Sequence, residues 1–237
     1  KAGTQAQQLL LKAKAFSAEM KTLGFPSQAG GVAYAPFDYI GDFLRGTRGI
    51  MLDMFRVPDK LLEAMEKLIP FILEGAMAAA RASGGPFIFM PMHKGLDGFM
   101  SLDQFKTFFW PSLRKVILSL IEEKFVPLVL WEGDCTSRLE IIKDIPKGRA
   151  IYWFEQTDIF RAKEALRETV CIRGNVPATL LCVGTPEDVE EYCKKLIDVV
   201  GKGGGFILDG AIGIPDEAKL ENVRAMANIT REYGIYR

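Results

Sequence analysis

Val126-Pro127-Leu128-Val129-Leu130-Trp131, running directly into Glu132-Gly133-Asp134-Cys135, is the stretch on which the reading of this chain turns. A short, apolar, β-rich run of this kind reads as a buried strand. A carboxylate set at its end must face a cleft or find a partner, because burying it unpaired is costly. Working outward in both directions, five more such runs occur, at residues 30–35, 86–92, 149–154, 170–173 and 205–208. Longer segments of helical period separate them, the alternation expected of a parallel sheet wrapped by helices.

The intervening helices carry start and stop signals. Ser101 and Gln104 have the spacing of a reciprocal capping box, ahead of the stripe Phe105, Phe108, Phe109, Val116, Ile117 and Leu120. Thr185, Pro186 and Asp188 open a second helix carrying Val189, Tyr192, Leu196 and Ile197, which stops at Gly201. Pro70 and Pro111 lie inside helical runs and are expected to kink or divide them. A leading helix is read at 5–20 and a last one at 217–233, ending at Gly234.

Eight strand and helix units close an α/β barrel, whereas six strands are found here. The expected fold is therefore a (β/α)8 TIM barrel whose first two strand and helix units are absent, forming one N-terminally incomplete domain over 1–237. The alternative, an open doubly wound sheet, would normally show a glycine-rich first turn, and no G-x-G-x-x-G follows any of these strands.

Composition narrows the partners. The 237 residues are 49% hydrophobic and 25% charged, with 30 Lys plus Arg against 30 Asp plus Glu, so no bulk field draws nucleic acid or an anionic membrane. No apolar stretch reaches the ~18 residues of a membrane span, and Lys1 to Gln8 lacks the apolar core of a signal peptide. Cys135, Cys171, Cys182 and Cys193 form no C-x-x-C pair, which fits a reducing cytoplasm.

In barrels of this type the active site lies at the C-terminal strand ends. The residues there are Asp38; His93 and Asp97; Glu132, Asp134 and Cys135; Glu155, Gln156 and Asp158; Asn175; and Asp209. Glu132, Asn175 and His93 are read as catalytic, and Asp38, Asp134, Glu155, Asp158 and Asp209 as substrate-binding. Plainer uses stand beside these. His93 could be a hydrogen-bonded structural residue, Asp38, Asp134 and Asp158 could be turn or helix caps, and Asn175 could hold a tight bend. Gly203 to Gly205 precede a strand and read as helix termination, not as a phosphate loop. Phe108, Phe109, Trp110, Trp131, Trp153 and Phe154 read mostly as core.

Several blocks carry a family likeness. They are Gly31-Val32-Ala33-Tyr34-Ala35-Pro36-Phe37-Asp38-Tyr39, the stretch from Ser101 to Pro111, Gly174-Asn175-Val176-Pro177, Gly184-Thr185-Pro186-Glu187-Asp188-Val189, Gly204 to Leu208, and Pro215 with Glu221-Asn222-Val223. In order and spacing the chain resembles the uroporphyrinogen decarboxylase superfamily, most nearly its corrinoid-dependent methyltransferase branch. That superfamily holds porphyrinogen decarboxylases, whose arginine-rich signature and essential aspartate lie near the N-terminus and are not visible here. It also holds methyltransferases, and its thiol-methylating members bind zinc through His-x-Cys after the fifth strand and a Cys after the last. The matching positions are Leu130, Glu132 and Ala211, so the resemblance implies no zinc and argues against a thiol substrate.

What the resemblance implies is a zinc-independent methyltransferase of one-carbon metabolism. It would move a methyl group between cobalamin on a partner corrinoid protein and a folate-type carrier such as tetrahydrofolate, or a small methylated compound. A tetrapyrrole decarboxylase and a non-catalytic binding subunit are the alternatives, and a homodimer is compatible with the chain. Glu132→Gln and Asn175→Ala are both expected to lower turnover with little loss of folded protein.

Overall fold

The apolar runs pair side by side in chain order. A computed structural model describes residues 2–25 and 30–235 and contains β1 (Gly31–Val32), β2 (Phe87–Met92), β3 (Val126–Trp131), β4 (Ile151–Phe154), β5 (Cys171–Val176) and β6 (Phe206–Gly210). Neighbouring strands are all parallel, in the order β1-β2-β3-β4-β5-β6. Each crossover steps one strand in the same direction, and right-handed crossovers of that kind collect the helices on one face. A doubly wound sheet would reverse its order midway and cover both faces. The order is that of a barrel wall, and the sheet is not closed: among the described residues β1 pairs only with β2, and β6 only with β5.

The helices are α1 (Ala2–Thr22), α2 (Pro36–Tyr39), α3 (Gly46–Arg56), α4 (Pro58–Ser83), α5 (Leu102–Gln104), α6 (Trp110–Glu122), α7 (Leu139–Ile142), α8 (Ile159–Leu166), α9 (Ala178–Val183), α10 (Pro186–Val199) and α11 (Leu220–Tyr233). Wider π turns follow α2, at Ile40–Leu44, and α5, at Phe105–Phe109. No helix of the described residues is long and apolar enough to cross a membrane.

Both expected capping boxes form, Ser101 with Gln104 and Thr185 with Asp188. The two prolines behave differently. Pro111 falls in the first turn of α6, where its missing N–H costs nothing, and the run divides there. Pro70 neither divides nor ends α4, which spans 26 residues in all. Losing one helical bond costs about 3 kcal/mol, while each large apolar side chain buried returns about 1.5–3 kcal/mol. Leu61, Met65, Ile69 and Ile72 are all buried on this helix, so packing outweighs the break.

The strand bounds differ from the sequence reading: β4 starts two residues later, β6 runs two residues further, and β1 and β5 differ most. β1 is shorter, and it lies so close to its neighbours that a Cβ on Gly31 would fall 1.9 Å from the Ala76 carbonyl oxygen. β5 is longer. Gly174-Asn175 looks like a turn, yet both residues stay in the ladder opposite Leu208 and Asp209. The helix read from residue 217 starts only at Leu220. The core lies between sheet and helices, where Trp131, Tyr152, Phe154, Phe105 and Phe109 are fully buried.

Candidate functional site

The parallel register carries several sequence-read residues to one level. Met92 pairs with Trp131, Trp131 with Phe154, and Asn175 with Asp209. One residue past the first two pairs come His93, Glu132 and Glu155, all at the C-terminal ends of their strands. From this common rim the side chains separate into distinct groups.

The first group is an acid and base cluster. Asp42, in the π turn after α2, lies 2.6 Å from His93 Nδ1 through Oδ2, and its Oδ1 accepts from Lys94 Nζ. On the other side of the ring, His93 Nε2 stands 3.6 Å from Glu132 Oε1, an ion-pair distance too long for a direct hydrogen bond. Burial raises the Glu132 carboxyl above its ordinary range, His93 counteracts this in part, and the negative charges of Glu155 and Asp42 reinforce it. Burial would raise Asp42 too, but hydrogen bonds from Lys94 and His93 hold it below the usual carboxylate range. Two carboxyls flanking one imidazole are thus pushed in opposite directions.

Asp38 sits beneath this cluster, turned to the backbone. It is fully buried, and its two oxygens accept the backbone N–H groups of His93 and Lys94 at 2.9 and 3.0 Å. Burial drives its carboxyl up to about 7 despite those bonds and the neighbouring Lys94.

The second group surrounds a cleft of about 610 Å³ at the ends of β4 and β5, lined by Glu155, Gln156, Asp158, Phe160, Asn175 and Tyr192 among others. Asn175 is 7% exposed and lies inside β5, where its amide donates to the carbonyls of Glu155 and Thr157 and its oxygen accepts from the Tyr192 hydroxyl. It holds the loop after β4 in place. Asp158 caps α8 by accepting from the N–H groups of Phe160 and Arg161, the plainer of its two sequence readings. Glu155 belongs to both groups, since it lines the cleft, takes the Gly133 N–H at 2.7 Å, and repels the Glu132 charge.

The remaining candidates are engaged elsewhere. Asp209 lies within β6 and binds Arg173 at 2.7 Å, while that guanidinium stacks 3.9 Å from the Trp153 ring. Asp97 pairs with Arg138 at 2.7 Å and fastens the loop after β2 to the loop after β3. Asp134 accepts from the N–H and hydroxyl of Thr136, as a turn residue does. Cys135 is 1% exposed, and burial pushes its thiol far up, so it remains protonated.

Asp42, Lys94, Arg173 and Tyr192 were not among the residues singled out from sequence. Asp42 stands four residues beyond the strand-end Asp38, inside a helical turn, and Tyr192 reads as the apolar stripe of α10. Lys94 follows His93 directly, so a search for charged neighbours of the lone histidine would have found it. A zinc site of the thiolate type does not fit these residues. Leu130 and Ala211 offer no ligand, Cys135 is buried as a thiol, and no three His, Cys, Asp or Glu side chains among the described residues are arranged to hold a metal.

A parallel sheet wound in one direction, with ionisable groups gathered at the C-terminal strand ends, defines a barrel-type α/β protein of enzymatic architecture. The family model described as "Uroporphyrinogen decarboxylase (URO-D)" matches residues 8–233, and the chain belongs to that family. It is 24% identical over 142 residues to a protein named uroporphyrinogen decarboxylase from Chlorobium phaeobacteroides, covering 57% of this chain and 39% of that protein. A protein of the same name from Pseudomonas fluorescens is 22% identical over 192 residues, covering 79% and 52%. The chain thus spans about half or less of the length of these curated relatives. Among solved structures, a methyltransferase from Methanosarcina mazei superposes with a TM-score of 0.67 at 19% identity, over 85% of this chain and 58% of that one. That likeness is one of fold.

Proposed function

We propose that this chain is a zinc-independent methyltransferase that moves a methyl group between a corrinoid protein and a folate-type carrier or small methylated compound. The observation that carries the reading is Glu132, a strand-end carboxyl raised by burial and set 3.6 Å from the sole histidine. When a nitrogen or oxygen gives up its methyl group it is left with an electron pair, and a carboxyl whose hold on its proton is strengthened by burial can protonate that atom. The corrinoid, when bound, supplies the metal centre that exchanges the methyl group. The chain's residues orient the other methyl partner in the cleft along Glu155 and Tyr192 and manage the proton. The methyltransferase with a similar fold agrees with this reading.

Decarboxylation of a tetrapyrrole is the second reading, favoured by the names of the curated relatives. Against it stands the charge of the rim. Lys94, Arg138 and Arg173 are each held by an aspartate of this chain, which leaves them poorly placed to receive a substrate bearing several carboxylates.

The test is to mix the protein with methylcobalamin and tetrahydrofolate, then with a panel of methylated donors and cobalamin, and to follow cobalamin absorbance. Methyl exchange supports the proposal. Conversion of uroporphyrinogen with no exchange selects the decarboxylase, and inactivity in both marks a binding subunit. In the active case Glu132→Gln lowers kcat by about 10²–10⁴-fold with little change in melting temperature.

A further inference from the structure

We propose that Asp42 is a positioning residue that fixes His93 in one tautomer, with Nδ1 protonated and Nε2 presented to Glu132. The inference concerns the proton inventory of the site and rests on the proposed function only for its kinetic consequence.

Free imidazole in water favours the proton on Nε2, so a protein that wants the opposite tautomer must supply an acceptor at Nδ1. Asp42 is that acceptor. Its Oδ2 is 2.6 Å from Nδ1, and its other oxygen is taken by Lys94, whose side chain is nearly buried beside it. With both carboxylate oxygens bound to N–H donors, Asp42 stays anionic and cannot rotate away without losing both. Its backbone is set by the π turn Ile40–Leu44, and the His93 backbone is set by Asp38 from α2. His93 is therefore held at two points, its backbone by Asp38 and its ring by Asp42.

The groups facing the ring are Asp42 from the π turn, Glu132 from the end of β3 and Lys94 beside it in the chain. Asp38 lies below, and Glu155 from the end of β4 stands behind Glu132. Nε2 then looks toward Glu132, whose carboxyl is the one raised by burial. At 3.6 Å the two groups lie within ion-pair reach, and Nε2, not Nδ1, is the nitrogen that faces the carboxyl. When the carboxyl gives its proton to a substrate atom, solvent restores it, since part of the Glu132 side chain stays exposed. Asp42 touches no substrate in this scheme. It decides which nitrogen takes part.

Because the chain has a single histidine, the tautomer can be read without assignment from a ¹⁵N spectrum of the whole chain labelled at histidine. The expected result is Nδ1 protonated throughout neutral and mildly alkaline pH, with Nε2 the nitrogen that loses its proton. In Asp42→Asn, folding checked by circular dichroism, the neutral ring moves toward the Nε2–H form. Asp42→Glu, which restores the carboxylate, recovers the Nδ1–H form at least in part. A wild-type ring already in the Nε2–H form, or identical spectra for wild type and Asp42→Asn, overturns the proposal. The spectrum does not depend on which reaction the chain performs, so it separates this inference from the proposed function. Where methyl exchange is found, Asp42→Asn lowers kcat by about tenfold or more and alters the pH profile, with KM little changed. A purely structural role would leave that profile unmoved.

Discussion

Asn175 and Glu132 occupy corresponding ends of strands in one sheet, and their surroundings give them different work. Glu132 keeps part of its carboxyl toward solvent and lies against another titratable group, whereas Asn175 spends its whole amide on two carbonyls and a tyrosine hydroxyl. Removing that amide leaves buried acceptors without donors, at a cost of about 1–3 kcal/mol. For a chain of this size such a loss lowers the melting temperature by about 2–10 °C. Asn175→Ala is therefore expected to melt earlier in calorimetry, which revises the sequence expectation of an intact fold. Asp38 makes a prediction of opposite character. Its folded-state carboxyl is raised to about 7 from an ordinary 3.8, so the folded chain binds more protons than the unfolded one between those values. The contribution of Asp38 to stability is then fully present below the lower value and is lost as pH rises through the upper one, by something on the order of a few kcal/mol. Melting temperatures measured from about pH 5 to about pH 8 should fall for the wild type and stay flatter for Asp38→Asn, and equal slopes would go against this.

At the scale of elements, α4 shows how packing overrides local preference. Pro70 is exposed on the outer face of this helix, while the opposite face is buried between the sheet and α6. Restoring the missing N–H removes a defect that packing now tolerates. Pro70→Ala should stabilise the chain by about 1–3 kcal/mol and raise its melting temperature, and an unchanged or lower value would mean the helix is already relaxed around the proline. The π turns matter to the site as well. The one at Ile40–Leu44 sets Asp42 beside His93, and a wider turn of this kind is often found where a side chain must be re-aimed.

The whole molecule carries equal numbers of acids and bases and an open sheet. Phe43, Leu44, Phe55 and Phe71 are all more than half exposed, and the outer edges of β1 and β6 have no strand partner among the described residues. Unpaired edges and apolar side chains favour association, and charge repulsion opposes it least when the net charge is zero. Light scattering at increasing concentration should show association strongest near neutral pH, where the formal net charge is +0. Scattering independent of pH and concentration would contradict that expectation.

The kind of fold could be seen in the linear chain because it depends on local periodicity. Apolar runs such as Val126–Trp131 must be buried to avoid water, and capping residues such as Ser101 and Thr185 act within a few positions. The level at which the polar side chains gather was visible for the same reason, since a polar residue just beyond a buried strand has only the rim to occupy. Which of those residues meet could not be read that way. Asp42 and His93 are 51 positions apart and become neighbours only through a π turn and a parallel register, and the Asn175 oxygen meets its partner only once Tyr192 arrives from α10. Contacts between distant positions depend on how whole elements pack, and the order of the residues carries no local signal of them.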